Sequence, residues 1–402
     1  MNIHIELRTN HNTGILFIKF SYHLPGKCSL LTILSTVTFT MHFEKIEILD
    51  WLKTASEAPI DFTASGMASP ENLSDLGIKV DDLPIHGDNF YSYKPLRDHL
   101  AKVYGISQEC ITVNAGASIG NFAALSVLHK KVNQITVEEP AYEPFIRLAN
   151  AIAGTTPERL PRSPESQYHL DPYPPLLMDG KPRILLMANP HNPTGIFEKP
   201  ETIARIANRL ASDGGWMLID EVFVPFLESG ERLSYSKLKN NIVTTCSLTK
   251  VWGLSSLRIG WISGPEEVIH DIERTLDSIN VIQPFITEYI AYHVMCETDI
   301  GNKLLLAARK IASKHLSIVK EYLDKLPEVS YTTPDAGISL LIRFKDGRDA
   351  DKFCDNLESE YGVRVINGRY FEVQNGFRMS YGVDEETLRK GLEAITKAIR
   401  TS

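Results

Sequence analysis

Four polar side chains lie at the ends of short apolar runs, and their types suit one kind of ligand. They are Asn192, Asp220, Lys250 and Arg258. A lysine amine forms an imine with an aldehyde, and a buried carboxylate favours the protonated form of a ring nitrogen. An arginine with nearby hydroxyl groups binds a phosphate through charge-assisted hydrogen bonds. Each side chain therefore has a role if the ligand is an aromatic cofactor that carries an aldehyde and a phosphate.

The apolar runs before or after these residues predict the strands of a largely parallel sheet. The runs are 135–137, 184–187, 216–219, 242–245 and 259–262. Helical patterns, such as those at Pro95–Tyr104 and Ser118–His129, separate or precede the predicted strands. Short apolar strands separated by helices predict a sheet that is covered by helices on both faces. The carboxyl ends of strands in such α/β sheets line the ligand crevice. We therefore expect the four side chains to converge there. The turn Asn114–Ser118 leads into a helix whose N-terminus would bind phosphate.

The pattern changes after about residue 285 and predicts a smaller α+β layer. Its predicted helices are 304–326, 349–361 and 384–399, and its predicted strands are 338–344, 363–366 and 377–380. We predict an N-terminal segment of this small domain at 41–85, a large domain at 86–285 and the rest of the small domain at 286–402. Residues 1–40 do not match the remainder. Since a good helical pattern begins at Met41, we expect 1–40 to be an extension that is poorly ordered or not normally made.

Composition excludes several other classes of protein. The chain has 402 residues, a net charge of −8 and no basic run, which argues against nucleic-acid binding. The five cysteines are scattered and form no CxxC pair, so we predict no disulfide framework, no metal site and a cytoplasmic location. The apolar run in residues 28–40 is too short to span a membrane. Signatures of nicotinamide enzymes, P-loop enzymes, zincins and α/β-hydrolases are absent.

The motifs and their spacing resemble those of the class I/II aminotransferases, a family of fold-type I pyridoxal-phosphate enzymes. Asn192, within Asn-Pro-Thr-Gly, precedes Asp220 by 28 residues. Asp220 precedes Lys250 by 30 residues, and Lys250 precedes Arg258 by 8. The resemblance covers residues 42–400 and implies a homodimer with pyridoxal 5′-phosphate as cofactor. It also implies amino-group transfer from an amino acid to a 2-oxo acid by a ping-pong cycle.

The resemblance also implies a role for each matching residue. Lys250 would form the Schiff base with the cofactor and move the substrate proton, Asp220 would pair with the pyridine nitrogen, and Asn192 would bond the ring oxygen. Tyr142 would stack on the ring. The residues that would contact the phosphate are Ala117, Ser118, Ser247, Arg258 and, from a neighbouring subunit, Tyr91. Arg378 and Gly66 would hold the substrate carboxylate, with Asn192 beside them. Taken singly, Asp220 and Ser118 also suit helix caps, and Asn192 also suits a turn.

Two positions depart from the family pattern. Phe223 stands where the family usually has a tyrosine that also bonds the ring oxygen, and Ser256 replaces a more usual glycine. Phe223 keeps open a lyase or decarboxylase of the same fold, of the C–S lyase or threonine-phosphate decarboxylase type. A non-enzymatic sensor on this fold is a further alternative, but residues 1–40 lack a helix–turn–helix pattern. Arg378 indicates only a carboxylate, so the amino acid stays undefined.

Overall fold

The computed structural model describes residues 42–227 and 234–401 in full, together with the backbone of three strands before residue 34. The chain forms two compact units, Met1–Glu44 and Lys45–Ser402. The first unit contains an antiparallel sheet in the order β1-β2-β3. Its strands are β1 (Ile3–Asn10), β2 (Ile15–Leu24) and β3 (Lys27–Ile33). The side chains of this unit up to residue 41 lie outside the described residues, so the expected poor order of 1–40 stays a prediction.

The second unit begins with helix α1 (Glu47–Thr54), followed by the short strand β4 (Ile60–Asp61). The helix begins later than the apolar spacing from residue 41 suggested, and Met41 itself lies outside the described residues. The Glu143 carboxylate sets this start, because it accepts the backbone N–H groups of Glu47 at 3.0 Å and Ile48 at 2.8 Å. Two otherwise unpaired donors at a helix N-terminus are thereby satisfied.

A seven-stranded sheet forms the centre of this unit. Its strands are β5 (Ile111–Asn114), β6 (Ile135–Glu139), β7 (Glu158–Pro161), β8 (Ile184–Ala188), β9 (Trp216–Asp220), β10 (Ile242–Ser247) and β11 (Gly260–Ser263). They lie in the order β5-β11-β10-β9-β8-β6-β7. Only β11 runs antiparallel to its neighbours within this sheet. The predicted α/β class and mostly parallel sheet are confirmed.

Helices cover both faces of the sheet, as predicted. They are α2 (Lys94–Tyr104), α3 (Ala117–Lys131), α4 (Glu143–Ala153), α5 (Pro200–Ser212), α6 (Glu266–Asn280) and α7 (Phe285–Tyr292). Alternate residues of β8 point to opposite sides: Leu186 packs in the apolar cluster with α3, α4 and α6, whereas Leu185 packs in the cluster with α5. Strands buried on both faces are expected for parallel sheets.

The C-terminal layer contains a second, antiparallel sheet. Its elements are α8 (Ile300–Leu323), β12 (Val329–Tyr331), β13 (Ser339–Phe344), α9 (Asp351–Tyr361), β14 (Val363–Arg364), β15 (Ile366–Asn367), β16 (Gly376–Ser380) and α10 (Glu385–Thr401). The sheet order is β12-β13-β16-β15. Strand β4 pairs in parallel with β14, which joins the segment before residue 85 to this layer. One apolar cluster contains both Trp261 of the first layer and Ile342 of the second, so the domain boundaries at 85 and 285 stay predictions.

The secondary structure differs from expectation at several strands, because β5, β7 and β12 were not predicted. Strand β5 was missed because Thr112 and Asn114 interrupt its apolar run, although both are buried. The strand expected at 363–366 is two short strands, β14 and β15, which pair with different partners. Within the described residues, no helix combines the length and the apolar composition needed to cross a bilayer.

Candidate active site

Lys250 lies just beyond the carboxyl end of β10, where its amine meets a loop that follows β4. Its Nζ donates a hydrogen bond to Ser65 Oγ at 2.6 Å, and its carbonyl accepts Met67 N–H at 2.7 Å. Gly66 allows this close approach, because a Cβ there would lie 2.9 Å from the Thr249 carbonyl oxygen. Burial, together with the positive charges of Arg378 and Arg258, lowers the pKa of Lys250 to about 8, although the negative charge of Asp220 opposes the change.

Asp220 ends the neighbouring strand β9 and is buried. Its Oδ2 accepts the Asn121 side-chain amide at 2.8 Å, and its Oδ1 accepts the Val222 backbone N–H at 3.1 Å. Thr245 donates to Asn121 Oδ1 at 2.7 Å, which turns the amide nitrogen toward Asp220. Burial raises the pKa of Asp220, while Asn121, Val222 and the charge of Lys250 oppose the rise. A carboxylate held by two donors keeps lone pairs for one further positively charged partner.

Arg378 on β16 is buried beside Asn192. Its Nη1 donates to Asn192 Oδ1 at 3.1 Å and its Nη2 to the Thr63 carbonyl oxygen at 3.0 Å. The guanidinium carbon lies 5.0 Å from the centre of the Phe371 ring. Its Nε is buried and has no hydrogen-bond partner in the structure. Burial lowers the pKa of Arg378 to about 10. An unpaired buried donor on a planar cation favours binding of a carboxylate.

Tyr142 lies within electrostatic range of Arg378 and Asp220, and burial raises the pKa of its phenol to about 12. Its ring packs edge-on against Phe145, with centroids 5.7 Å apart. His191 joins the loop that holds Tyr142 to the loop that holds Asn192. The His191 Nε2 lies 2.9 Å from the Pro140 carbonyl oxygen and its Nδ1 lies 2.7 Å from Thr194 Oγ1.

His191 is fully enclosed, and its burial holds its pKa well below the usual range. A neutral ring carries one N–H. We assign that proton to Nε2, which donates to the Pro140 carbonyl, so that Nδ1 accepts the Thr194 hydroxyl proton. The bridge fixes the spacing of the two loops.

The N-terminus of α3 forms a cradle beside Arg258. Gly116 caps this helix with φ +92°, and a Cβ there would lie 2.6 Å from Arg258 Nη2. Ala117 and Ser118 are the first helical residues, and Ser118 is exposed. Arg258 is exposed and reaches the Ala115 carbonyl oxygen at 3.4 Å. Free backbone N–H groups, a helix dipole and a guanidinium together suit a phosphate.

Two predicted cofactor residues contribute less defined contacts. Ser247, the last residue of β10, is buried, and its hydroxyl accepts the Thr249 backbone N–H at 3.4 Å. Tyr91 lies elsewhere: it is 55% exposed, has φ +53°, and its hydroxyl lies 3.5 Å from Asp277 on α6. Its predicted contact with a neighbouring subunit stays a prediction.

The departures from the family pattern occupy different surroundings. The Phe223 ring is buried, and its centre lies 5.8 Å from Lys250 Nζ, so an aromatic face stands close to the amine without a hydroxyl. Ser256 is exposed in the short turn before Arg258.

Sequence patterns did not identify Ser65, Asn121, Thr245 or His191 as parts of the site. One signal was available for Asn121, a buried amide in the middle of an otherwise apolar helix, where a hydrogen-bond partner is required. Ser65 and His191 carried no comparable signal, because their partners are far away along the chain.

The charges of the site indicate the kind of ligand that it takes. The positive charges of Arg258 and Arg378 and the negative charge of Asp220 all act on Lys250. Such an excess of positive charge favours anionic groups. A phosphate at the α3 cradle and a carboxylate at the unpaired Arg378 Nε would supply them. The buried Asp220 suits a protonated ring nitrogen between these two ends. The residues therefore fit pyridoxal 5′-phosphate and an amino-acid substrate.

Several known enzymes have sequences similar to this chain. A capreomycidine synthase from Streptomyces vinaceus is 24% identical over 71% of this chain and 73% of its own. An arginine–pyruvate transaminase from Pseudomonas aeruginosa is 24% identical over 72% of this chain and 75% of its own. An aspartate aminotransferase from Pyrococcus horikoshii is 24% identical over 75% of this chain and 79% of its own.

Solved structures share the fold. A PLP-dependent aminotransferase from Streptococcus suis superposes with a TM-score of 0.80 at 20% identity, covering 89% of this chain and 98% of that one. A mutant aspartate aminotransferase from Thermus thermophilus superposes with a TM-score of 0.76 at 20% identity, covering 86% of this chain and 98% of that one. Both similarities establish the fold-type I architecture. The family profile for aminotransferase class I and II matches residues 88–395, so this chain belongs to that family of pyridoxal-phosphate-dependent aminotransferases.

Proposed function

We propose that Lys250 bonds the cofactor and moves the proton at the substrate Cα during amino-group transfer from an amino acid to a 2-oxo acid. The observation that carries this assignment is the Lys250 amine, whose pKa of about 8 lies near neutrality, and which is influenced by Asp220, Arg258 and Arg378. A lysine with a lowered pKa is an effective nucleophile and base near neutral pH. When bound, pyridoxal 5′-phosphate supplies an electron sink for the carbanion at Cα.

The other site residues hold the cofactor and the substrate. Asp220 pairs with the ring nitrogen and Tyr142 covers the ring face. Asn192 uses its oxygen to accept Arg378, so its Nδ2 is left to donate to the ring oxygen. The phosphate is held by Ala117, Ser118, Ser247 and Arg258. Arg378 binds the substrate carboxylate next to the Gly66 backbone.

One experiment tests the reaction type. The loaded protein is mixed with single amino acids, including arginine and aspartate because two relatives are named for them. A visible-absorbance change with release of the matching 2-oxo acid, reversed by a second 2-oxo acid, supports transamination. Release of carbon dioxide, or of ammonia with pyruvate, would instead establish the decarboxylase or lyase alternative. Phe223 beside the Lys250 amine and the capreomycidine synthase among the relatives keep that alternative in the test.

Arg378→Ala is expected to lower kcat/KM by roughly 10²- to 10³-fold, because it removes one partner of a buried charge pair with the substrate. Arg378→Lys should recover little of this loss, since a lysine keeps the charge but lacks the planar fork. Steady-state kinetics with a good amino acid measure both. Arg343→Lys is the matched control, because Arg343 lies on the adjacent strand β13 and bonds Asn375 instead. An equal loss in the Arg343 variant would contradict the assignment.

Phe223→Tyr is expected to lower the pH at which the visible absorbance of the loaded protein changes. The added hydroxyl would stabilise the charged ring oxygen, whereas the Phe223 ring favours a positive charge on the nearby nitrogen. The titration midpoint of the natural protein is therefore the higher of the two. Absorbance titrations of both proteins measure the difference, with Phe226→Tyr as the control. An unchanged midpoint in Phe223→Tyr would contradict the expected contact.

We further propose that two copies of the chain associate in the cytoplasm as a homodimer. Phe90 and Tyr91 are 72% and 55% exposed, and Val281 is 73% exposed, which suits coverage by a second copy. The four described cysteines are free thiols, as expected in a reducing compartment. Light scattering during size-exclusion chromatography measures the molar mass in solution and so tests the dimer. Tyr91→Phe should weaken binding of the cofactor if Tyr91 reaches the partner's phosphate.

A further inference from the structure

A serine hydroxyl that no part of the family resemblance identified meets the reacting amine of the site. Ser65 Oγ lies 2.6 Å from Lys250 Nζ, within direct hydrogen-bonding distance. The two residues are far apart along the chain, so the contact depends on the loop that follows β4. Ser65 is half-buried and therefore loses little solvation by making it.

The loop is anchored on both sides of Ser65, which fixes the backbone position from which the hydroxyl reaches the amine. The Thr63 carbonyl accepts Arg378 Nη2 at 3.0 Å. Met67 N–H donates to the Lys250 carbonyl at 2.7 Å, and Ser69 Oγ donates to the Gly253 carbonyl at 2.5 Å. Two of these bonds, from Met67 N–H and Ser69 Oγ, join the loop to the segment that carries Lys250, and the third joins it to Arg378 on β16.

A hydroxyl suits a lysine whose charge changes during a reaction. When Nζ is an ammonium, Ser65 Oγ accepts one of its three N–H bonds. When Nζ has lost a proton, its lone pair accepts the Ser65 O–H instead. A carboxylate could serve only the first state, and the face of the Phe223 ring, 5.8 Å away, also favours only the charged state. Lys250 exchanges its proton with the substrate. The Ser65 hydroxyl proton is not transferred in the reaction.

We propose that Ser65 is a further catalytic residue, which holds the free Lys250 amine in position through both of its protonation states. This inference rests on the proposed role of Lys250. Phe223 has no hydroxyl to offer near the amine, where the family usually has a tyrosine. Ser65 supplies a hydroxyl there instead.

The test compares Ser65→Ala with Ser69→Ala, a matched loss of a hydroxyl in the same loop. The loaded proteins are assayed with an ordinary and a Cα-deuterated amino acid. In the cofactor-free proteins, acetylation of Lys250 is followed against pH by peptide mass spectrometry. A second pair, Ser65→Thr and Ser65→Val, has the same side-chain shape with and without the hydroxyl. That pair decides the question if the alanine variant folds poorly.

Ser65→Ala is expected to lower kcat by about 10- to 100-fold, with KM nearly unchanged, because positioning of a proton-transfer group contributes on this scale. The deuterium effect on kcat should rise. The acetylation midpoint should move to lower pH, since a hydrogen bond from the charged amine is the stronger one. Ser65→Thr should recover most of the rate, whereas Ser65→Val should not. Ser69→Ala removes one anchor of the loop but leaves the Ser65 hydroxyl, so it should change the midpoint and the deuterium effect much less than Ser65→Ala does.

The inference is overturned if Ser65→Ala keeps the natural midpoint and deuterium effect, or if Ser69→Ala changes both equally. It is also overturned if threonine and valine at position 65 behave alike. Activity that persists in Lys250→Ala would instead overturn the proposed function. An inactive Lys250→Ala together with an unaltered Ser65→Ala would overturn the role of Ser65 alone.

Discussion

Replacement of Lys250 by alanine is expected to abolish the visible absorbance of a covalently bound cofactor and to lower the turnover rate by at least about 10⁴-fold. Two contributions are lost together, because the same amine bonds the cofactor and moves the Cα proton. The pKa of Lys250, lowered to about 8, makes both possible near neutral pH. At pH well below 8 the free amine is protonated, so its reaction with an aldehyde should slow as the pH falls.

Borohydride treatment of the loaded protein followed by peptide mass spectrometry locates the bond directly. The added mass should appear on the peptide with Lys250 in the natural protein and should disappear in Lys250→Ala. Lys237→Ala serves as the control, since Lys237 is an exposed lysine shortly before the same strand β10. If the absorbance band survives in Lys250→Ala, or if the mass appears on another lysine, the central assignment fails.

The Asp220→Asn variant is expected to lower turnover on the order of 10³-fold while the protein still folds. Asparagine keeps the size of the side chain but cannot offer a negative charge to a ring nitrogen. The buried Asp220 carboxylate accepts hydrogen bonds from Asn121 and Val222. In the asparagine variant, the side-chain NH₂ would face one of these donors and could not accept its hydrogen bond. Rapid-mixing absorbance measurements of the half-reaction separate this loss from weaker cofactor binding.

Glu221→Gln is a sharp control for the charge, because Glu221 is the next residue and is also buried. Burial raises the pKa of Glu221 to about 8, so its carboxyl is largely neutral at pH 7 and resembles a glutamine. Its Oε1 accepts the Tyr235 backbone N–H at 2.7 Å, which a glutamine oxygen also does. We expect a small change in Glu221→Gln. Similar losses in both variants would mean that burial, and not the charge on Asp220, matters.

The positions of Asn192, Asp220, Lys250 and Arg258 were predictable because each follows or begins a strand whose apolar run is visible in the sequence. Strand ends in a parallel sheet meet at one edge, so local patterns were enough to bring most of these residues together. Arg378 was found only through its motif, since it lies on β16 in the other sheet. Its partner Thr63 lies 315 residues earlier in the chain.

The sequence by itself determined the α/β class, the order of the polar residues along the chain, and the loss of the phenol at Phe223. Only the tertiary structure decided which groups touch the reacting amine. Ser65 and Lys250 are 185 residues apart in the sequence. Because hydrogen bonds are short and directional, their contact depends on how the loop after β4 is fixed. The Asn121 support of Asp220 likewise depends on α3 crossing β9 and β10, a packing arrangement that no local pattern encodes.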